Sequence, residues 1–156
     1  MKLLFVCTGN TCRSPMAEAI ARKIAIERGL VDLDIASAGT SAWDGAAASD
    51  GALLVGLERH LDLGSHRSQQ LSPALVKSSD LIIAMSAHHL ERVEALGGAG
   101  KSFLLTGYPT PGAHSRPIDD PVGGDLDAYR ATADDLDAEI RRVFDILAAE
   151  RVPGAS

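Results

Sequence analysis

Cysteine is scarce in this sequence of 156 residues: there are only two, Cys7 and Cys12, and they lie in one short stretch. Two neighbouring thiols do not make the disulfide framework of a small secreted domain. No run of eighteen apolar residues occurs, and the N-terminus lacks the pattern of a cleaved export signal. We therefore expect a cytoplasmic protein without a membrane-spanning segment, in which a reduced thiol is available for chemistry.

Acidic residues outnumber basic residues in this sequence. The sequence has 15 Lys and Arg against 21 Asp and Glu, a formal net charge of −6 at pH 7. This balance argues against nucleic acid or an anionic membrane as a general partner. The five histidines lack the spacing of metal ligands, so we predict no metal site and no cofactor, and we expect His88 and His89 on a solvated helix face.

What the sequence does contain is an alternation of strand and helix patterns. Short apolar runs at 2–6, 34–37, 81–85 and 102–105 predict four strands, with helical patterns between and after them. This order predicts an α/β fold, a three-layer sandwich with a four-stranded parallel sheet flanked by helices on both faces. The length fits a single domain, placed at 1–150, with 151–156 as a flexible tail.

The turn between the first strand and the first helix carries the chemistry. Residues 7–14 read Cys-Thr-Gly-Asn-Thr-Cys-Arg-Ser, just ahead of a helix whose free amides and dipole favour an anion such as phosphate. The same field favours the thiolate of Cys7, and the planar guanidinium of Arg13 can bind two oxygens of a tetrahedral anion. Gly9 permits close backbone approach, and Asn10 tolerates a left-handed conformation. The alternative is two core cysteines beside a surface arginine.

Two further residues border this chemistry. Ser14, followed by Pro15, is expected to cap the helix. The proline-rich loop 107–124 contains Asp119-Asp120-Pro121, which could supply the proton that a leaving group needs. Either carboxyl could serve, and a simple Asp-Pro turn is the other interpretation.

The nonapeptide from Cys7 to Pro15 resembles the phosphate loop of the low-molecular-weight protein-tyrosine-phosphatase family. The resemblance implies that Cys7 attacks phosphorus and that Asp120, directly before Pro121, is the acid. It also implies a cysteinyl-phosphate intermediate, released by water. Phosphate oxygens would be held by Arg13 and by the loop residues Thr8, Gly9, Asn10, Thr11 and Cys12.

The resemblance also implies supporting roles outside the nucleophile and acid. Ser14 would hydrogen-bond the thiolate, and Ser37 and His66 would support a strained Asn10. Cys12 would form a reversible disulfide with Cys7 under oxidation, which protects the nucleophile. The simpler interpretations are a capping Ser14, a surface His66 and a Cys12 that acts as a small buried hydrophobe.

Substrate preference depends on three positions. Tyrosine-directed members usually carry Ile or Leu where this chain has Thr11, whereas the sequence around Thr11 resembles the bacterial protein-arginine phosphatases. The segment after Asp120, with Val122 and two glycines, resembles the arginine branch, although Val122 replaces an aromatic residue. Trp43 could stack on either a phenyl ring or a guanidinium. We therefore favour phosphoarginine, with phosphotyrosine as the alternative.

Two other functions fit the same loop less well. Arsenate reduction on this scaffold needs further cysteines, and no cysteine follows Cys12. A catalytically silent phosphate-binding module would lack the nucleophile or the acid, and both are present. The expected partners are phosphorylated proteins or peptides, with inorganic phosphate as product; the oligomeric state and physiological substrate do not follow from the sequence.

Overall fold

The computed structural model describes residues 1–151 and confirms the predicted α/β fold with a four-stranded parallel sheet. The strands are β1 Lys2–Cys7, β2 Asp34–Gly39, β3 Leu81–Ala84 and β4 Ser102–Leu104. The helices are α1 Arg13–Glu27, α2 Asp50–Glu58, α3 Pro73–Ser78, α4 Ala87–Val93 and α5 Leu126–Arg151. Of the predicted tail, Arg151 is the last residue of α5, and residues 152–156 lie outside the described residues.

The sheet has the strand order β2-β1-β3-β4, with every pair parallel. From β1 the chain crosses to one side to form β2 and then to the other side to form β3. Ligands of such sheets bind beyond the carboxyl ends of the strands, at the point where the order reverses. Cys7 is the last residue of β1 and pairs with Gly39, so it lies at this point.

The two faces of β1 explain the three layers. Successive side chains of a strand point to opposite faces. Leu3 and Phe5 belong to a core that includes buried residues of α1 and α5, whereas Leu4 and Val6 belong to a second core with α3 and α4. Because β1 is covered on both sides, its continuous apolar run identifies it from the sequence alone.

Ion pairs and hydrogen bonds attach the loop 108–124 to α5. Arg142 donates hydrogen bonds of 2.7 Å and 2.6 Å to the carbonyl oxygens of Leu105 and Tyr108. Arg116 binds both carboxylate oxygens of Asp135 at 2.7 and 2.8 Å. These contacts hold the loop that contains the candidate acid against the last helix.

The start of α1 differs from the prediction. Ser14 is not the N-cap: the helix begins at Arg13, Cys12 occupies the cap position, and no side chain among residues 1–151 caps it by a hydrogen bond. The hydroxyl of Ser14 is instead engaged with Cys7 and Asn10. The first amides of α1 are consequently left without a side-chain cap, the condition that favours anion binding.

Gly39 permits the close approach of β2 to the turn after β1. A Cβ atom at this position would lie 2.4 Å from the carbonyl oxygen of Thr8 and 2.9 Å from the backbone nitrogen of Asn10. Both atoms belong to the backbone and cannot turn aside. Only glycine fits between the second strand and this turn.

We therefore expect Gly39→Ala to lower the free energy of unfolding by roughly 2 kcal/mol, the scale of an overpacked core. Urea unfolding measures this directly. Gly64→Ala is the matched control, because a Cβ there meets nothing within 4 Å. Equal stability of the two variants would contradict the packing argument.

Candidate active site

The turn from Thr8 to Cys12, which joins β1 to α1, is held open by hydrogen bonds from outside it. Four carbonyl oxygens accept such bonds: Cys7 from the Thr40 amide (2.9 Å), Thr8 from the Ser41 amide (2.9 Å), Asn10 from His66 Nε2 (2.7 Å) and Thr11 from the Ser49 amide (2.9 Å). In a trans peptide the next N–H points away from the carbonyl. The amides of residues 8, 9, 11 and 12 therefore face the inside of the turn, an arrangement that favours anion binding, and we call the space they surround the basin.

Asn10 is the centre of a buried hydrogen-bond network under this turn. It has a φ of 57° and is fully buried. Its side-chain Nδ2 donates to Ser14 Oγ at 2.8 Å and to Ser37 Oγ at 2.9 Å, while its Oδ1 accepts from the Gln69 amide at 2.9 Å. Ser37 in turn donates to Glu18 at 2.7 Å. Every polar atom of the Asn10 side chain thus helps to hold the left-handed conformation.

Gln69 and Glu18 complete this network but were not predicted from the sequence. Their contacts with Asn10 and Ser37 join segments far apart in the chain. Gln69 lies three residues after His66, whose predicted contact with the turn is present. That proximity to His66 is the only sequence signal that could have indicated Gln69.

Cys7 is buried beneath the basin, and its sulfur lies 2.9 Å from Ser14 Oγ. Because Asn10 Nδ2 donates to the same hydroxyl oxygen, the Ser14 hydroxyl hydrogen has two acceptors within reach, the Cys7 sulfur at 2.9 Å and the carbonyl oxygen of Ala38 at 3.5 Å, of which the sulfur is nearer. A hydrogen bond donated to sulfur stabilises the thiolate. The position of Ser14 thus suits the role that the resemblance implied.

Arg13 joins the basin to the loop 108–124. Its guanidinium is buried; Nη1 donates to the carbonyl oxygen of Ile118 at 3.0 Å, and Nη2 lies 3.5 Å from Asp120 Oδ2. The other oxygen of Asp120 accepts from the Val122 amide at 3.1 Å. The structure therefore brings the Asp120 carboxylate to the same guanidinium that borders the turn.

Asp119 contacts α5 through its backbone. Its carbonyl oxygen accepts a hydrogen bond from Thr132 of α5 at 3.4 Å. Of the two adjacent acids, Asp120 is the one with a described ion pair to Arg13. This geometry favours Asp120 as the acid.

Cys12 is buried on the far side of the turn from the Asn10 network. Its sulfur donates to Ser49 Oγ at 3.2 Å and lies 3.4 Å from the Tyr129 hydroxyl. Burial raises the pKa of Tyr129, and its hydrogen bond with Cys12 raises it further. Both cysteines are free thiols. Cys12 therefore has polar partners that a purely hydrophobic role would not require.

The prediction for the two adjacent histidines of α4 is wrong for one of them. His88 is exposed, but His89 is fully buried, with its Nε2 2.8 Å from Thr8 Oγ1. Burial, together with electrostatic repulsion from His88 and Arg13, lowers the pKa of His89 to about 3, while Asp120 acts in the opposite direction. The helical pattern alone did not reveal that one histidine faces the turn.

The predicted substrate-side residues have very different environments. Thr11 is half-buried in the turn. Trp43 is 86% exposed and Val122 64% exposed. Both thus present apolar surface to solvent, which a substrate could cover.

Within residues 1–151, no cluster of three or more His, Cys, Asp or Glu side chains could hold a metal ion. No described helix has the length and apolar character needed to cross a membrane.

A buried thiol, an adjacent guanidinium and a carboxylate around an uncapped helix start define the class of cysteine-dependent phosphoryl-transfer enzymes. The family model "Low molecular weight phosphotyrosine protein phosphatase" matches residues 2–152, and the chain belongs to this family. The sequence-based recognition is thereby confirmed.

Relatives with two different specificities resemble the chain. A "Protein-arginine-phosphatase" of Bacillus subtilis (strain 168) is 39% identical over 153 residues, covering 97% of this chain and 99% of the relative. The "Low molecular weight protein-tyrosine-phosphatase PtpB" of Staphylococcus haemolyticus (strain JCSC1435) is 39% identical over 137 residues, covering 87% and 92%. Both branches that the sequence indicated are therefore represented among its relatives.

One solved structure is particularly informative. "YwlE arginine phosphatase - C7S mutant with phosphorylated active site serine" matches with a TM-score of 0.87 and 34% identity, covering 100% of both chains. In that variant, a serine at the active site carries the phosphate.

Proposed function

We propose that this chain is a protein phosphatase that hydrolyses phosphoarginine side chains through a phosphocysteine intermediate. The observation that carries the proposal is the juxtaposition of a buried Cys7 thiol, inward-facing amides and the Arg13–Asp120 pair around one basin. Nucleophile, oxyanion binding and proton donor are then present within one site.

In the first step the Cys7 thiolate attacks phosphorus in line with the leaving group. The Arg13 guanidinium and the inward amides hold the three other phosphoryl oxygens. The bond between phosphorus and the leaving nitrogen or oxygen breaks, and Asp120 gives its proton to that atom. The products of this step are cysteinyl-phosphate and the free side chain.

In the second step water attacks the phosphorus of the cysteinyl-phosphate. Asp120, now a carboxylate, takes a proton from the water, the sulfur–phosphorus bond breaks, and the thiolate returns with the Ser14 hydroxyl beside it. Inorganic phosphate leaves. The site needs no metal ion for either step, because Arg13 and the amides neutralise the developing charge.

Phosphoarginine is favoured over phosphotyrosine by the residue at the turn and by the relatives. Thr11 is smaller than Ile and adds a hydroxyl that can bond to a branched guanidinium. A protein-arginine phosphatase aligns with 97% of this chain. Phosphotyrosine stays the second candidate, because a tyrosine phosphatase has the same identity and because Trp43 can stack on either group.

We further propose that the protein acts in the cytoplasm on phosphorylated proteins or peptides and releases inorganic phosphate. Nucleic acid and membranes are not among its proposed partners, given its acidic balance. We also propose one phosphatase domain spanning residues 1–150, since both cores and the site lie within it.

The proposal is tested by comparing hydrolysis of phosphoarginine and phosphotyrosine peptides by the wild type and Cys7→Ser. We expect faster hydrolysis of phosphoarginine by the wild type, and no turnover by Cys7→Ser, since a serine oxygen is a far poorer leaving group than a thiolate and a phosphoserine would not be hydrolysed in the second step. Phosphate should still raise the melting temperature of Cys7→Ser, which shows an intact basin. Residual full activity of this variant would contradict covalent catalysis.

The acid is identified by the paired variants Asp120→Asn and Asp119→Asn. Loss of a general acid costs roughly 10²- to 10⁴-fold when the leaving group needs a proton, and much less for an activated aryl phosphate. We expect this dependence for Asp120→Asn in steady-state kinetics, with Asp119→Asn close to the wild type. A larger effect at Asp119 would reverse the assignment.

Substrate preference is tested at Thr11 with two variants. Thr11→Ile adds bulk and removes the hydroxyl, so we expect the ratio of kcat/KM for phosphoarginine to that for phosphotyrosine to fall about 10-fold. Thr11→Val is the matched control, since it removes the hydroxyl at nearly constant volume. An unchanged ratio in both variants would remove Thr11 as the determinant.

A further inference from the structure

His89 is a buried histidine that the phosphatase mechanism above does not use. It belongs to α4, on the opposite side of the sheet from α1, yet its ring reaches the turn after β1. It is fully buried, whereas its partner Thr8 is exposed. The contact therefore joins the buried His89 ring to an exposed residue at the edge of the basin.

The hydrogen bonds of His89 determine its tautomer. The Ser86 backbone amide, 3.2 Å from Nδ1, can only donate, so Nδ1 must accept. Ser86 Oγ lies 2.8 Å from the same nitrogen. In the neutral ring the hydrogen is then on Nε2, and Nε2 donates to Thr8 Oγ1 at 2.8 Å.

The neutral state of His89 is consistent with its surroundings. Burial and electrostatic repulsion from His88 and Arg13 disfavour a second proton, and they lower the pKa of His89 to about 3 against the opposing effect of Asp120. The His88 ring lies 4.0 Å from the His89 ring, centroid to centroid. The tautomer is thus constant across the neutral pH range.

Thr8 is consequently fixed at both its backbone and its side chain. Its carbonyl oxygen accepts from the Ser41 amide at 2.9 Å, and its hydroxyl oxygen accepts from His89. A hydroxyl that accepts in this way keeps its own hydrogen for another acceptor. Thr8 is the first residue after the nucleophile, so this hydrogen is available beside the basin.

We infer that His89 is a positioning residue for phosphate binding: it orients the Thr8 hydroxyl so that its hydrogen is donated to an oxygen of the bound phosphoryl group. This inference rests on the proposed function and assigns a role to a residue of α4 in it. His89 also caps the N-terminus of α4, where its Nδ1 accepts a hydrogen bond from the Ser86 amide. That cap does not explain the second hydrogen bond, from Nε2 to Thr8.

The test measures binding of inorganic phosphate by calorimetry, which requires no turnover and no substrate side chain. Thr8→Val removes the hydroxyl. His89→Asn places an amide oxygen near the position of Nδ1, so it retains the cap but does not reach Thr8. His89→Gln places an amide nitrogen near the position of Nε2, so it restores a donor to Thr8. His88→Asn is the matched control on the neighbouring exposed histidine.

We expect Thr8→Val and His89→Asn each to weaken phosphate binding about 10-fold, the effect of losing one hydrogen bond to a charged group. The double variant should bind no more weakly than Thr8→Val, since His89 acts through Thr8. His89→Gln should recover most of the affinity, and His88→Asn should bind like the wild type.

Three results would overturn the inference: wild-type phosphate affinity in Thr8→Val, wild-type affinity in His89→Asn, or a double variant whose loss is the product of the single losses. If His89→Asn does not fold, Thr8→Val still decides, because wild-type phosphate affinity in this variant overturns the inference whatever His89 does. Wild-type hydrolysis of phosphopeptides is measured in parallel. If the wild type hydrolyses no phosphopeptide, the proposed function is refuted. The phosphate affinities of the variants test the role of His89 separately.

Discussion

The outward hydrogen bonds of the turn after β1 are the constraint on which the site depends. Amides can face an anion only if the carbonyls of the same peptides face elsewhere, and buried carbonyls need partners. Here the partners come from three separate segments: the residues after β2, the start of α2 and the loop that carries His66. The basin is therefore a product of the whole fold, although its residues are contiguous in sequence.

The cost of this arrangement is concentrated at Asn10. A left-handed conformation costs a non-glycine residue about 1–2 kcal/mol. Three hydrogen bonds to its side chain and one to its carbonyl offset that cost. The same side chain orients Ser14 toward Cys7, so one residue both shapes the backbone and directs a hydrogen bond to the sulfur.

Much of this could be predicted from the sequence, because the signals are local. The apolar run of β1 and the composition of residues 7–15 are sufficient for the fold class and the candidate nucleophile. The Ser14 cap was predicted wrongly, since a capping pattern does not reveal that the hydroxyl has three competing partners, in Cys7, Asn10 and Ala38. His89, Gln69 and Tyr129 were missed, because their contacts with the turn join residues 59 or more positions apart in the chain.

The depth of the nucleophile has a consequence for the length of the substrate. Cys7 is only 3% exposed and Arg13 only 5% exposed, so a phosphorus atom that meets the sulfur must enter below the protein surface. Side chains of arginine and tyrosine carry a phosphoryl group many bonds from the peptide backbone, whereas phosphoserine and phosphothreonine carry it close by. The burial of these two residues therefore favours long phosphorylated side chains over phosphoserine and phosphothreonine, independently of any contact specific to one side chain.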